Sequence, residues 1–366
     1  MQKKQFFLVF SAFVLASSLP SASIVFAKSS SSSIKTINPP DIIQPAKVSR
    51  FATRFFAPYM YVEPSPNTNP NNKPNLFVQA ALQTGIKYYT LAFIISNGCK
   101  GMWGDFTEVG KLPPGVPAGS PDLLMAGISQ LRKSGGDVII SFGGANGIEL
   151  GQACQDVSSL QLQYQQVINT YHVTHLDFDI EGASIADPIS VDRRNKALAS
   201  LERANPSLSI SYTLPVLPTG LTDGVKLLQN ARTNKVKVAI VNIMTMDYGQ
   251  ASDHMGDDAI NAAKSVQGQL ASIRMSAKIG ITPMIGINDT STETFTLSDA
   301  RKVLNFAKQN TNIGELSMWS LGRDKPCAGG ASGSASTLCS SIAQKRFDFT
   351  KVFGQFTSSS LPTSIP

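Results

Sequence analysis

The stretch HLDFDIEG, residues 175–182, sets Asp177, Asp179 and Glu181 at every second position, with Leu176, Phe178 and Ile180 before and between them. In an extended strand, side chains two apart share a face, so the carboxylates line one side and the apolar residues the other. The apolar side marks a strand packed inside a protein. Carboxylates are costly to bury unless they share protons, accept hydrogen bonds or hold a cation. The stretch therefore predicts a buried strand with a working site at its end.

Seven further β-rich runs share its character: RFFAPYMYV, KYYTLAFIIS, DVIISFGG, LSISYTLPV, KVAIVNIMTM, AKIGITPMIGI and ELSMWSL. They begin near Arg54, Lys87, Asp137, Leu208, Lys237, Ala277 and Glu315. Nearly continuous apolar runs are expected of parallel strands covered on both faces. Between them lie segments with helical apolar spacing, such as SPDLLMAGISQLRKS, SVDRRNKALASLERA and LSDARKVLNFAKQ. Ser120-Pro121-Asp122 and Ser298-Asp299 stand where helix N-caps belong. A last helix is read over CSSIAQKRFDFTKVFGQF, residues 339–356. Eight strands, each followed by a helix, predict an α/β chain folded as a single (β/α)8 barrel over residues 49–355. A doubly wound open sheet competes. No Gly-x-Gly-x-x-Gly turn follows the first strand, so its nucleotide-binding form lacks support.

The flanks read differently. Lys3 and Lys4, the apolar run Phe6 to Leu19 and the small-residue signal ending at Ala27 have the layout of a secretory leader, residues 1–27. That run is shorter than the ~20 residues a membrane span needs. Residues 28–48 form a Ser/Pro-rich arm and residues 356–366 a similar tail, both expected to be flexible. The chain is expected to be secreted, free of the membrane after leader removal, and monomeric. The formal charge is +7, and loss of the two leader lysines leaves about +5, spread along the chain. No Lys/Arg cluster larger than a pair such as Arg193-Arg194 is visible, which argues against a nucleic-acid footprint.

Cys99, Cys154, Cys327 and Cys339 allow three pairings. Spacing favours Cys327–Cys339 across a Gly/Ser-rich loop, which leaves Cys99–Cys154. A zinc site is not supported, since there is no Cys-x-x-Cys pair and His172, His175 and His254 lie elsewhere.

In such a barrel the working residues gather at the C-terminal ends of the strands. There the third strand ends in Ser141-Phe142-Gly143-Gly144 and the sixth in Met244-Thr245-Met246-Asp247-Tyr248-Gly249. Trp319 lies on the eighth, and Trp103 in the loop after the second. Asp-x-Asp-x-Glu offers hard oxygen ligands, but a calcium loop would carry Gly, Asn and Ser between them, not Leu, Phe and Ile. A purely structural role is costly for three carboxylates at once. Acid catalysis accounts for them best, because adjacent carboxylates raise one another's pKa and keep one protonated. Glu181, the outermost, is then the donor. Neither a metal nor another cofactor is expected.

These motifs together resemble family 18 of the glycoside hydrolases, the chitinases and their relatives. The strand-four stretch is similar to that family's Asp-x-x-Asp-x-Asp-x-Glu signature, Ser141 to Gly144 to its Ser-x-Gly-Gly, Met246-Asp247-Tyr248 to its Met-x-Tyr, and Trp319 to its strand-eight tryptophan. DFDIEG and MTMDYG resemble a bacterial and archaeal chitinase branch. Two positions depart: Thr174 replaces the first Asp, and Gly249 stands where an Asp often follows the tyrosine, a role open to Asp247.

The resemblance implies substrate-assisted, retaining cleavage of β-1,4-linked N-acetylglucosamine polymers. Glu181 is the acid and then the base, Asp179 binds the acetamido N–H, Asp177 shares its charge, and Tyr248 positions the acetamido oxygen. Trp319 forms a floor under the sugar, with Asp247, Met246, Ser141, Gly143, Gly144 and Trp103 as further substrate-binding positions. Only about ten residues separate the seventh strand, read as ending near Ile287, from its helix near Ser298. That leaves no room for the module that walls the cleft in some relatives, so an open groove and endo-action are expected. Cleavage at N-acetylglucosamine in N-linked glycans or peptidoglycan is the alternative, as is a lectin that binds without turnover.

Overall fold

A computed structural model describes residues 51–64, 75–104 and 106–357. The leader, the arm and residues 358–366 of the tail lie outside them.

The eight strand regions run β1 (Phe55–Phe56 and Tyr59–Tyr61), β2 (Tyr88–Ser96), β3 (Asp137–Gly143), β4 (His175–Asp179), β5 (Ser209–Leu217), β6 (Val238–Met244), β7 (Lys278–Thr282) and β8 (Ile313–Leu316). Neighbours pair in parallel in that order, and β8 pairs with Phe55–Phe56 while β2 pairs with Tyr59–Tyr61. The two halves of β1 are only Ala57-Pro58 apart, so the sheet closes on itself. Backbone bonds Ala57 N–H to Leu316 O and Thr90 N–H to Pro58 O carry the closure across the proline, which has no N–H to give. The chain is an α/β barrel, as the strand count predicts.

Outside the sheet lie α1 (Leu76–Thr84), α2 (Leu123–Lys133), α3 (Val157–Tyr171), α4 (Pro188–Ala204), α5 (Gly224–Thr233), α6 (Met255–Ser272) and α7 (Leu297–Gln309). Their starts are set by side chains that accept otherwise unbonded N–H groups. Asp122 accepts from Met125 and Asp156 from Ser159, while Thr296 and Asp299 form a reciprocal capping box. The main apolar core lies between sheet and helices, with Leu176, Phe178 and Ile180 among its buried members. The opposite strand faces point into the barrel.

Three boundaries differ from expectation. β7 stops at Thr282, and Gly286–Ile287 pairs instead with Thr294–Phe295 in a small antiparallel hairpin. The last helix, α8, covers only Asp348–Phe353, followed by a 3-10 turn to Phe356. Buried Asp324 captures the N–H groups of Phe349 and Thr350 and the amide of Gln344, and Phe347 has φ +64°, so the helix begins only at Asp348. The tail starts later than expected. Phe356 is buried under Arg54, and Thr357 Oγ1 accepts from Phe56 N–H.

Candidate active site

The carboxylates of β4 climb the inside of the barrel towards its C-terminal mouth. Asp177 is buried, and four hydroxyls donate to it: Tyr59 at 2.7 Å and Ser141 at 2.6 Å to Oδ2, Ser211 at 2.6 Å and Thr213 at 2.8 Å to Oδ1. Each donor stands on a neighbouring part of the barrel, and the register sets Ser141 and Ser211 directly beside Asp177. Burial pushes its carboxyl up, and the four hydroxyls pull it back towards the ionised form.

Asp179 lies one step nearer the mouth, buried, with Oδ1 lacking a hydrogen-bond partner. Burial raises it well above the usual carboxylate range, and the charges of Glu181 and Asp177 add to the rise. Glu181 beside it is raised by burial, lowered by its interaction with Asp179 and raised again by Asp247. Two raised carboxyls so close together are disposed to hold one proton between them.

Gly143 and Gly144, at φ +97° and +84°, let the end of β3 approach β4. A Cβ on Gly143 would lie 2.1 Å from Asp179 O, and one on Gly144 2.7 Å from the Phe93 ring. Gly144 N–H also bonds Asp179 O at 3.0 Å.

Above the carboxylates opens a cleft of about 460 Å3. Asp179 and Glu181 line its floor, with Tyr59, Tyr61, Phe93, Met246 and Trp319 around them. Trp319 lies beyond the end of β8 and stacks on Phe93, centroids 5.6 Å apart. Asp247 stands on the rim at φ +51°, its carboxylate accepting Thr290 N–H at 2.7 Å. Arg323 ties down the opposite wall. Its guanidinium donates to Ile285 O, Ile287 O and Ser336 O, and Thr337 of the same loop lines the cleft. Burial lowers Arg323 to about 10, against the opposing charges of Asp289 and Asp247.

Six expected site residues do not line the cleft: Asp177 and Ser141 are buried beneath it, Gly143 and Gly144 turn the end of β3 against β4, and Tyr248 and Trp103 pack elsewhere. Tyr248 is a buried core residue whose hydroxyl has no hydrogen bond and feels Asp258 and Glu293. The left-handed turn at Asp247 ends the strand's alternation, so Met246 and Asp247 face the cleft while Tyr248 turns behind it. Trp103 is 1% exposed, donates Nε1–H to the Tyr171 hydroxyl at 2.7 Å and packs edge-on against that ring. Tyr59, Tyr61, Phe93, Asp289 and Arg323 were not singled out by sequence. The alternation Tyr59-Met60-Tyr61 was the available signal for the first two.

Cys99–Cys154 and Cys327–Cys339 are both disulfides, the pairing that spacing favoured. Cys99–Cys154 joins the loop after β2 to the loop after β3. Among the described residues no group of three or more His, Cys, Asp or Glu is arranged to hold a metal ion, and no helix is long and apolar enough to cross a membrane.

No family model matches the chain. The chain is similar to the catalytic domain of a hyperthermophilic chitinase from Pyrococcus furiosus, with 34% identity and a TM-score of 0.72 over 84% of this chain and 96% of that one. It is 34% identical over 332 residues to a probable bifunctional chitinase/lysozyme of Escherichia coli, covering 82% of this chain and 34% of that protein. It is also 34% identical over 300 residues to Endochitinase 11 of Metarhizium anisopliae, covering 75% of this chain and 53% of that protein. The chain thus spans about a third and about half of the length of these two relatives. With that likeness over nearly all of a solved chitinase domain, and a barrel carrying stacked carboxylates at its mouth, the chain belongs to the chitinase-like family 18 of glycoside hydrolases.

Proposed function

We propose that the protein is a secreted glycosidase that cleaves β-1,4-linked N-acetylglucosamine polymers internally, by a substrate-assisted retaining mechanism. The carrying observation is the adjacent carboxyls of buried Asp179 and half-buried Glu181 on the floor of an open, aromatic-lined cleft. A related P. furiosus domain has been crystallised with chito-oligosaccharides, and the Metarhizium relative is an endochitinase by name. The leader-like start and two disulfides support an oxidising, extracellular setting.

In this mechanism the sugar's own acetamido oxygen attacks the anomeric carbon, one of the recognised exceptions to the two-carboxylate scheme. Glu181, having taken the proton from Asp179, gives it to the glycosidic oxygen. Asp179 then faces the acetamido N–H and, with Asp177 behind it, offsets the positive charge of the cyclic intermediate. Glu181 next accepts a proton from the attacking water. Trp319 packs under the sugar ring. The name of the E. coli relative favours a second reading, cleavage of peptidoglycan. Product analysis on a defined N-acetylglucosamine hexamer, against the same assay on cell walls, decides between them. Internal cleavage of the hexamer is expected; binding without products would mark a lectin.

Two variants follow. Asp179→Asn should lower turnover about 10²- to 10³-fold, and a mild loss would argue against acetamido participation. It should also stabilise the fold at alkaline pH. The folded-state pKa of Asp179 is raised, so its contribution to stability is fully present below the unfolded value of about 4 and is lost as pH rises through the folded value. Calorimetry should therefore show the Tm gain of Asp179→Asn growing as pH rises above about 4. Trp319→Ala, made together with Glu181→Gln, should weaken titrated binding of an N-acetylglucosamine oligomer about tenfold. Unchanged affinity would remove Trp319 from the sugar's floor.

A further inference from the structure

Glu293 is a buried acid that the mechanism leaves unused. It stands in the hairpin that follows β7 and does not line the cleft. The hairpin holds it firmly. Asn288 N–H donates to Glu293 O at 3.0 Å, Glu293 N–H donates to Thr290 O at 2.8 Å, and the Asn288 amide donates to Met284 O and Gly286 O. From this post Glu293 reaches the turn after β6, where its Oε1 accepts Gly249 N–H at 3.0 Å. Ser252, at the far end of that turn, pairs with Glu293 through the backbone. The contact is answered in the opposite direction, since the Asp247 carboxylate accepts Thr290 N–H at 2.7 Å. Two carboxylates thus brace one turn against one hairpin, each taking an N–H from the other's segment.

The turn is one that needs bracing. Asp247 has φ +51° and Gly249 φ +78°, with Tyr248 between them. A left-handed backbone is costly for a residue with a Cβ and persists only where the surroundings hold it. Turns of this kind also point successive N–H groups into one hollow that suits an anion. Here the chain supplies the anion itself. Burial raises the Glu293 pKa and the Asp247 charge adds to the rise, whereas the N–H groups of Tyr248, Gly249 and Gln250 draw it back. The same turn sends Met246 and Asp247 to the cleft and Tyr248 into the core. A Cβ on Gly249 would meet nothing within 4 Å, so glycine serves the backbone angle there and not a close approach.

We propose that Glu293 is a positioning residue for substrate binding: its carboxyl group fills the backbone hollow of residues 248–250 and so fixes Met246 and Asp247 at the wall of the cleft. The proposal rests on the glycosidase reading for the sugar that those two side chains meet. Glu293→Ala empties the hollow, and the turn relaxes with Asp247 leaving its place on the rim. Glu293→Gln keeps an oxygen for Gly249 N–H and with it the geometry. Gly249→Ala attacks the same turn through its backbone angle alone, while Gly249→Asn puts there a residue that tolerates the left-handed region.

The test uses the full chain and an N-acetylglucosamine hexamer, with kcat and KM measured for each variant and binding titrated calorimetrically in a Glu181→Gln background. Glu293→Ala and Gly249→Ala should each weaken binding and raise KM about tenfold, with kcat changed less, as loss of a charged hydrogen-bonding group predicts. Acting on one turn, the two together should do little more than either alone. Glu293→Gln and Gly249→Asn should stay near wild type. Amide hydrogen exchange gives a readout that needs no sugar: the Gly249 and Thr290 N–H groups should lose protection together in Glu293→Ala. A lowered Tm with unchanged KM, additive effects of the two variants, or Thr290 protected as in wild type overturns the proposal. Gly249→Ala decides the matter should Glu293→Ala fail to fold. A wild type that neither binds nor cleaves the hexamer would defeat the glycosidase reading, while exchange at Gly249 and Thr290 still judges the brace.

Discussion

Glu181→Gln is expected to lower kcat on an N-acetylglucosamine hexamer about 10³-fold, within the range that general acid catalysis contributes. The amide fills the same volume beside Asp179 but has no proton acidic enough to give a leaving oxygen. The fold should be untouched, because Glu181 lies past the end of β4 and is only half buried. Binding should survive too, since the cleft walls are Phe93, Trp319 and Met246, none of which depends on the Glu181 charge. Rate and titration calorimetry together give the check. A variant that turns over the hexamer at near-normal rate would sink the acid assignment.

The second large effect concerns stability. Glu149→Ala should cost about 3–5 kcal/mol, because it leaves the Arg194 guanidinium buried without a counter-charge. Arg194 Nη2 meets Glu149 Oε2 at 2.6 Å, and both side chains are almost wholly buried. Arg194 has little else: its Nε and Nη1 find no partner. In a barrel of this size that loss corresponds to a Tm drop of roughly 10 °C. Replacing both residues by apolar side chains, Glu149→Leu with Arg194→Met, should recover much of it, since a well-packed apolar pair avoids the cost of drying two ions. Scanning calorimetry of the single and double variants tests this; a single variant within 1 kcal/mol of wild type, converted by ~2–4 °C per kcal/mol, would refute it.

Arg193 and Arg194 show what a sequence reveals and what it withholds. As letters they were a basic pair too small to hold nucleic acid. In the fold both reach from α4 to the segment after β3, Arg193 to Gly151 O at 2.7 Å and Arg194 to Glu149. The barrel itself was legible, because eight nearly continuous apolar runs, separated by capped helical segments, leave few alternatives. The carboxylates were legible for the same reason, lying inside a strand whose alternation fixes their face.

Past the strand ends that alternation no longer holds. At Asp247 a left-handed residue reverses the chain, and Tyr248 goes to the core while Met246 takes the cleft. Trp103 fails differently: an aromatic on a rim loop can serve a sugar or a neighbour, and here Tyr171 claims its N–H. The inward burial of Glu315 on β8 depends on a bulge at Gly314, which leaves no mark in a pattern of apolar residues.

The segment from Cys327 to Cys339 is closed by its own disulfide and fastened at Ser336 by Arg323, while residues 328–334 between them are exposed. Such a loop can change length without disturbing anything beneath it, because its ends stay the same distance apart whatever lies between. The cleft wall at Thr337 is therefore the place where this barrel can be rebuilt. Residues added there would raise one bank of an open groove, and with it the length of time a polymer stays bound between successive cuts.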